Sequence, residues 1–543
     1  MEIVSLSLAL TALAAVTGLA GRYFTLIPLP LVQVIVGTGL GLSSFGVFDI
    51  RLEPEVFLLL FVPPLLFADG WRLPKREAVE LRSHILLHAF LLVLINVVLI
   101  GYFLHWFRPD IPLWAAFAMG SVLSPTDAVA VAAISRKVKV PRKLMHILQG
   151  EALLNDASGL VSLKFSLLAS VGAFSLAGAA GNVLLVSVAG AAVGAALAYV
   201  YGRIRTVLAE ADGSTTIPLV VCLVLLPFGA YLLAEALHLS GILAAVAAGV
   251  TMTYADPKHD DNAALRLQTG NFFTLFGYVL NGIIFLLLGL QVPAVLRAGI
   301  ASAAASGHSG MHLVVLVASV TGVVLLIRLI WGWGEARLAR MPRRGATRPA
   351  LPMPADRVLL AHTLSGIRGA VTLAAAISLP LKIAGGVPFP ARDELILLAG
   401  GVILLTMVIA AVCLPMLLRG LPQDDDEAVE KERAAAAIKA SQAAIQAISS
   451  EQSLEAVVSA DGESTDVRQI VMEQYEQRIE AELPGAADKA DAGLEHDLTK
   501  QARLIGLRAE REELHRLHST GEINDETLHA MMKPLDLAEE SLR

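Results

Sequence analysis

Charged and aromatic residues are scarce in this sequence of 543 residues. Asp, Glu, Lys and Arg make up 17% of it and aromatic residues 6%, and the two cysteines, Cys222 and Cys413, lie inside apolar runs. Two isolated cysteines exclude a disulfide framework, and no polybasic stripe points to nucleic acid. Apolar residues are abundant instead. They form 55% of the chain and give a mean hydropathy of +0.65, which is typical of a polytopic membrane protein.

Thirteen apolar runs match, or nearly match, the 17–25 residues or so that a helix needs to cross a bilayer. They are rich in Ala, Val, Leu and Gly, and the chain has only 5 Trp, which favours helices over a barrel with aromatic girdles. The predicted fold is therefore an all-α polytopic membrane protein. The predicted spans are 3–20, 28–45, 54–69, 84–106, 112–134, 144–170, 180–202, 215–237, 240–254, 271–293, 311–333, 357–380 and 394–418.

Lys and Arg concentrate in the odd-numbered connections between these spans. Lys75 and Arg76 follow span 3, and Arg343 and Arg344 follow span 11. Basic loops are retained on the cytoplasmic side of a membrane. We therefore expect a multi-pass protein of the cell membrane with its N-terminus outside and its C-terminus in the cytoplasm.

The two parts of the chain differ in charge. Residues 421–543 hold 13 basic and 28 acidic residues, a net charge of −15, whereas 1–420 hold 29 and 21, a net charge of +8. The sequence therefore predicts a transmembrane domain at 1–420 and an acidic cytoplasmic tail at 421–543. Helical patterns in this tail cover 427–449, 468–481 and 495–518.

Spans 5 and 6 carry carboxylates near their middles. Asp127 lies in the first, and Glu151 and Asp156 lie in the second. An ionised carboxylate at membrane depth is costly unless water, a cation or a partner offsets it, so these residues indicate function. A carboxyl group that holds either a proton or a cation couples the two fluxes by competition. We predict that Asp156 and Asp127 are these carriers.

Pro125 interrupts span 5, because proline removes a backbone donor and breaks the helical hydrogen-bond ladder. Such a break is tolerated at membrane depth where it lines a cavity. The carbonyl of Thr126 then becomes available as an oxygen ligand of the transported cation, beside the two carrier aspartates. Ser124 precedes the break, and Asn155 can donate to the groups freed at Thr126.

Span 12 has a similar layout at residues 365–374, where a Ser and a helix breaker precede a charge and a run of small residues. By the loop assignment it crosses the membrane in the opposite sense to span 5. Two interrupted spans in opposite senses indicate an inverted repeat. Arg368 needs a partner at this depth, and Glu151 is the predicted one. We expect that pair to be structural.

These motifs resemble the monovalent cation:proton antiporters, in the branch that contains bacterial NhaP-type proteins and animal sodium/proton exchangers. The resemblance covers about 1–420. It is carried by G-S-V-L-S-P-T-D-A-V-A-V at 120–131, Q-G-E-A-L-L-N-D-A-S-G-L-V at 149–161 and S-G-I-R-G-A-V at 365–371, with support from 63–70, 239–250 and 280–291.

The resemblance implies a homodimer of thirteen-span subunits without a cofactor. A core would comprise about 84–170 and 311–418, and a dimer domain about 1–69 and 180–293. The ion site would lie beside Asp156, where spans 5 and 12 cross. In that family, Asn at the position of Asn155 accompanies electroneutral exchange.

The chain departs from this family at two positions. Many relatives have an acid where this chain has Ala68, and Asp69, one residue later, is expected to face elsewhere. Many also have a hydroxyl where this chain has Ala152. Both differences concern cation ligands, so they leave the choice of cation open: Na⁺ is the predicted one, with Li⁺ or K⁺ as alternatives.

The predicted function is secondary antiport of protons against monovalent cations, for pH and sodium homeostasis, and not enzymatic catalysis. K⁺/H⁺ antiport by the same mechanism is one alternative. An intramembrane aspartyl protease also needs two membrane carboxylates, but it would need a Gly-x-Gly-Asp stretch, and here the contexts are Pro-Thr-Asp and Leu-Asn-Asp. A channel is a third possibility, but mid-span carboxylates and Arg368 fit ion binding and a moving core better.

Overall fold

Apolar helices make up most of the first 420 residues in a computed structural model of the protein. The chain divides into two compact units, Met1–Pro422 and Gln423–Arg543. The structure describes residues 2–21, 27–42, 54–73, 75–135, 140–170, 176–211, 216–255, 263–305, 307, 309–339, 355–383, 386–419, 435, 438–439, 441–446, 448–449, 457–458, 464–465, 472–473, 475–476, 479 and 537.

The described part of the first unit is built of consecutive helices. They are α1 (Glu2–Ala20), α2 (Leu29–Leu42), α3 (Pro54–Arg72), α4 (Lys75–Glu80), α5 (Arg82–Leu86), a π-helix (Leu87–Leu92), α6 (Val93–Phe107), α7 (Leu113–Val122), α8 (Ala128–Ile134), α9 (Arg142–Ala169), α10 (Leu176–Ala211), α11 (Thr216–Ala236), α12 (Gly241–Ala255), α13 (Ala263–Ala305), α14 (Gly310–Ala339), α15 (Ala355–Leu364), α16 (Ala370–Ile377) and α17 (Arg392–Leu418).

Each of the thirteen predicted spans coincides with one of these helices or with consecutive ones. Many exposed side chains on them are large and apolar, such as Leu185 and Val188 on α10, and such a surface suits lipid. The predicted all-α membrane fold is confirmed. Within the described residues, six helical stretches are long and apolar enough to cross a membrane: Arg82–Phe107, Leu185–Val207, Ile217–Ala236, Thr269–Ala305, Gly310–Arg337 and Arg392–Leu418.

Two of the predicted spans are built from half-helices. Span 5 consists of α7 and α8, which are separated by residues 123–127. Span 12 consists of α15 and α16, which are separated by residues 365–369. Both breaks lie where the sequence analysis expected them, at the proline of span 5 and at the glycines of span 12.

Many of the helix contacts fall in two sets, and α13 joins the sets by packing on α17. In one set, α12 lies against α3, α10 and α11, and α13 lies along α2. In the other, α7 lies between α6 and α9, and α14 packs against α15 and α17. The division into a six-span core and a dimer domain stays a prediction.

Glycines allow α10 and α12 to approach closely. Gly190 and Gly194 are four residues apart on α10 and face the start of α12. A Cβ atom added at Gly190 would lie 2.6 Å from the carbonyl oxygen of Ser240, and one added at Gly194 would overlap the carbonyl of Ala244. Small residues at this spacing bring helix backbones together in membranes.

The second unit contains helical residues and one short hairpin-like pairing in the part that the structure describes. Strands β1 (Val457–Val458) and β2 (Ser464–Thr465) are antiparallel. The described residues within 427–449 and 468–481 are helical, as predicted. The predicted helix at 495–518 lies outside the described residues.

We expect Gly194→Ala to destabilise the protein, because the added methyl group meets backbone that cannot rotate away. Overpacking of this kind costs about 1–3 kcal/mol. Gly322→Ala on α14 is the matched control, since a Cβ there has nothing within 4 Å. Thermal unfolding of the purified protein in detergent measures both variants. A Gly194→Ala protein as stable as Gly322→Ala would contradict the packing of α10 on α12.

Candidate functional site

The break between α7 and α8 is held by hydrogen bonds and by packing on α9. The hydroxyl of Ser124 donates to the carbonyl oxygen of Gly120 at 2.8 Å, which satisfies the end of α7. Pro125 has no amide hydrogen to donate. Its ring lies against Gly159 of α9, where a Cβ atom would be 2.7 Å from the proline Cγ. The missing side chain at Gly159 therefore lets the broken segment approach α9.

The two breaks cross and bind each other. The backbone amide of Asp127 donates to the carbonyl oxygen of Ile367 at 2.8 Å. In return, Nε of Arg368 donates to the carbonyl oxygen of Leu123 at 2.7 Å. Each break thus supplies a partner for a backbone group that the other leaves outside a helix, and such groups are costly to leave unpaired inside a membrane.

The charges at the crossing match the dipoles of the four half-helices. Oδ1 of Asp127 accepts a hydrogen bond of 2.9 Å from the amide of Ala130 and so caps the positive N-terminus of α8. Gly369, at the N-terminus of α16, is so close that a Cβ atom there would overlap the Asp127 carboxylate. Arg368 lies at the negative C-terminal ends, since it binds the carbonyl that follows α7 and, at 2.5 Å, that of Gly366 after α15.

The prediction that Glu151 pairs with Arg368 is wrong. Glu151 accepts two hydrogen bonds from Arg328 of α14, from Nη1 at 2.5 Å and from Nη2 at 2.8 Å. Both side chains are buried, with exposed fractions of 1% and 3%. A planar guanidinium fits a carboxylate in this two-point manner. Arg368 is directed to backbone carbonyls instead.

Arg328 was missed although the sequence contains a signal for it. It lies inside the apolar run predicted as span 11, where a charged residue needs a partner as much as Arg368 does. Gly366 makes room for it, because a Cβ atom at that position would be 2.7 Å from Cδ of Arg328. Sequence spacing alone did not distinguish between the two arginines as partners of Glu151.

The expected contact between Asn155 and the Thr126 break is present. Nδ2 of Asn155 donates to the hydroxyl of Thr126 at 2.7 Å, and its Oδ1 accepts from the Thr126 amide at 3.4 Å. The Thr126 hydroxyl in turn lies 3.4 Å from Oε1 of Glu151. Asn155 thus joins α9 to the break, which leaves the neighbouring Asp156 outside these bonds.

A cavity of about 250 Å³ lies beside the crossing and contains three carboxylates. Asp127 and Asp156 line it, as does Asp69 of α3. Asp156 is buried, with an exposed fraction of 8%, Asp127 is half-buried and Asp69 is exposed. Neither Asp127 nor Asp156 forms an ion pair with a described residue, so their charges remain available to a proton or a cation.

The prediction that Asp69 faces away from the site is wrong. Val62, Leu65, Leu66 and Asp69 line the same cavity, and their spacing places them on one face of α3. Ala68 lies on another face, buried in an apolar cluster with residues of α10, α11 and α12. Helical periodicity within the predicted third span is the signal that would have located Asp69.

Neutral side chains complete the lining of the cavity. Ala152 lies on the wall one turn before Asp156 and presents only a methyl group. Gln149 on α9, Asn281 on α13 and Thr372 on α16 carry the polar groups. None of these three residues was predicted as a ligand, because each lies on a different span and nothing in the local sequence pattern joins them.

Two buried histidines, His88 and His362, flank Glu151, and ligand atoms of the three residues lie within 4.8 Å of one another. Both oxygens of Glu151 already accept from Arg328, and Nε2 of His88 is 3.2 Å from the donor Nε1 of Trp331. The adjacent guanidinium also repels a cation. These contacts describe an interior hydrogen-bonded network rather than a metal centre.

The chain is similar to known membrane transporters over most of its length. The family described as "Sodium/hydrogen exchanger, transmembrane" matches residues 8–420. An uncharacterized Na(+)/H(+) exchanger of Escherichia coli (strain K12) is 38% identical over 548 residues, which cover 99% of this chain and 98% of that protein. A sodium, potassium, lithium and rubidium/H(+) antiporter of Bacillus pumilus (strain SAFR-032) is 40% identical over 422 residues, 77% of this chain and 61% of that protein.

The fold is similar to that of a solved structure, the sodium proton antiporter MjNhaP1 from Methanocaldococcus jannaschii. The TM-score is 0.56 and the sequence identity 18%, and the match covers 77% of this chain and 99% of that one. This likeness concerns the fold, whereas the sequence matches extend over the spans that carry the site. The chain therefore belongs to the sodium/hydrogen exchanger family of membrane transporters.

Proposed function

We propose that this cation:proton exchanger carries its two substrates alternately on Asp156, with Asp127 as the second carrier. The observation that supports this most is the meeting of Asp127 and Asp156 in one cavity beside the crossed half-helices. The transported cation is Na⁺, with Li⁺ or K⁺ as alternatives. It is held by the carboxylates of Asp156 and Asp127 and by the carbonyl oxygen of Thr126.

Competition between the proton and the cation for Asp156 is sufficient to couple their transport. A proton on Asp156 removes the charge that attracts the cation, and a bound cation excludes the proton. Asp69 adds a third carboxylate to the cavity and raises the local cation concentration. The name of the Bacillus pumilus relative, which includes sodium, potassium, lithium and rubidium, supports a site that accepts several monovalent cations.

The cavity opens toward the cytoplasm in this proposal. Its lining extends to Arg72 and Leu73 at the end of α3, and the basic residues that follow favour a cytoplasmic position. On the other side of the crossing, Leu104, Ile111 and Met119 belong to a fully buried apolar cluster that closes the path. The N-terminus is then outside the cell membrane, and the acidic tail is in the cytoplasm.

Alternating access follows if the core spans move against the dimer domain and carry the site with them. The core comprises about 84–170 and 311–418, the dimer domain about 1–69 and 180–293, and two subunits form a homodimer. Asn155 is neutral and engaged with Thr126, so Asp156 is the only ionisable member of that pair. We therefore expect one cation for one proton, in support of pH and sodium homeostasis.

Asp156→Asn should abolish exchange, because the amide holds neither a transported proton nor a cation by charge. Proteoliposomes with a pH-sensitive dye report the proton flux that follows addition of Na⁺. Asp393→Asn is the control, since Asp393 is half exposed at the start of α17 and lies outside the cavity. Full exchange by Asp156→Asn would overturn the carrier role.

Exchange should be independent of membrane potential if one cation replaces one proton. Valinomycin and set K⁺ gradients clamp the potential of the proteoliposomes, and Na⁺-dependent proton flux is measured at each value. We expect equal rates at zero potential and at negative or positive potentials. A rate that follows the potential would refute electroneutral exchange while leaving the antiport itself intact.

Glu151 and Arg328 serve as a structural tie between α9 and α14 in this proposal. Glu151→Gln should lower stability by about 3–5 kcal/mol, because it leaves the Arg328 charge buried without its partner. The double variant with Arg328→Gln should regain part of that loss. Glu235→Gln is the control, since the Glu235 side chain is half exposed and 4.0 Å from Lys164, and glutamine keeps the oxygen that accepts from the Gly241 amide. Thermal unfolding in detergent compares them, and equal stability of the two single variants would argue against the tie.

A further inference from the structure

Thr372 places a hydroxyl group with no partner in the wall of the carboxylate cavity. It lies on α16, three residues after Gly369, which touches Asp127. Its exposed fraction is 1%, and no described residue forms a hydrogen bond with its Oγ1. Thr372 lines the same cavity as Asp127 and Asp156.

Seven other helical threonines of this protein satisfy their hydroxyls within their own helix. Each donates to the carbonyl oxygen four residues earlier, as is usual for threonine in a helix. These threonines are Thr17, Thr38, Thr206, Thr274, Thr321, Thr363 and Thr406. Thr372 is an exception in a position where the same bond would have been expected.

The interruption of the span explains the exception. Four residues before Thr372 is Arg368, which precedes the N-cap of α16 and lies in the break rather than in the helix. Its carbonyl is therefore not aligned with the helix axis below Thr372. The break that exposes backbone groups at the crossing also leaves this hydroxyl without its local acceptor.

A monovalent cation would give the Thr372 hydroxyl the binding partner that it lacks. An oxygen with two lone pairs is a suitable ligand for such a cation, and an unsatisfied buried hydroxyl favours any ligand that engages it. On the opposite wall, α9 offers Asp156 but only the methyl group of Ala152 one turn before it. The Thr372 hydroxyl of α16 thus adds a neutral oxygen to the carboxylates and to the Thr126 carbonyl of the proposed site.

We propose that the hydroxyl of Thr372 is a direct ligand of the transported cation and sets the affinity for it. This proposal rests on the proposed function, because it concerns the cation that Asp156 and Asp127 hold. The hydroxyl acts on the cation-loaded form and has no part in the protonated form. Its loss therefore weakens cation binding and leaves the turnover of the bound state in place.

The test measures the KM for Na⁺, Li⁺ and K⁺ of proteoliposomes that contain Thr372→Val, a variant of the same shape without the hydroxyl. We expect the KM to rise about tenfold with the maximal rate within about twofold of wild type. Thr372→Ser, which keeps the oxygen, should restore the wild-type KM. The control is Thr363→Val, since the Thr363 hydroxyl is bonded to the carbonyl of Leu359 on α15.

A second variant removes the hydroxyl on α16 and adds one on α9. Ala152→Ser added to Thr372→Val puts a hydroxyl on α9 beside Asp156, and we expect it to recover part of the cation affinity. If Thr372→Val yields no folded protein, Thr372→Ala with and without Ala152→Ser answers the same question. A purely structural role of Thr372 would lower the maximal rate or the unfolding temperature without a change in KM.

The outcomes separate this proposal from the proposed function. A KM within about twofold of wild type for both Thr372→Val and Thr372→Ala, in liposomes where wild type exchanges and Asp156→Asn does not, overturns the role of Thr372 alone. No exchange by the wild type with any of the three cations overturns the proposed function as well.

Discussion

The reciprocal bonding of two broken helices is the constraint on which the rest of this structure depends. The amide of Asp127 donates a hydrogen bond to the carbonyl oxygen of Ile367, and Nε of Arg368 donates one to the carbonyl oxygen of Leu123. Each break therefore depends on the other for its backbone hydrogen bonds at membrane depth. The acid lies at helix N-termini and the arginine at helix C-termini, where the dipoles favour them. The charges of Asp127 and Arg368 are therefore stabilised largely by backbone amide and carbonyl groups, and the two side chains do not form an ion pair across the crossing.

This arrangement leaves Asp127 and Asp156 without an ion pair among the described residues. Two buried arginines near the crossing are both engaged elsewhere, Arg368 with carbonyl oxygens and Arg328 with Glu151. Neither Asp127 nor Asp156 has a cationic partner among the described residues. In the proposed function, a proton or a cation offsets the charge that the helix N-terminus and the backbone leave uncompensated, and competition between the two produces exchange at one site.

Much of the fold and part of the candidate site could be predicted from the amino-acid sequence. Apolar run lengths predicted thirteen segments, each of which is helical, and Pro125 and the glycines around Arg368 predicted where two of them break. Carboxylates inside apolar runs identified Asp127 and Asp156, because their cost at membrane depth does not depend on the fold. The contact of Asn155 with Thr126 followed from helix spacing and from the bonds that the proline frees.

The tertiary structure decided which distant groups meet. The sequence shows two arginines that need partners, and only the packing of α14 on α9 assigns Arg328 to Glu151. It also brings Asp69 and Thr372, from spans far apart in the chain, to the wall that holds Asp156. The sequence by itself determined which residues are too polar for their depth. The partners were decided by the fold, because helix rotation and crossing set contacts that local periodicity does not contain.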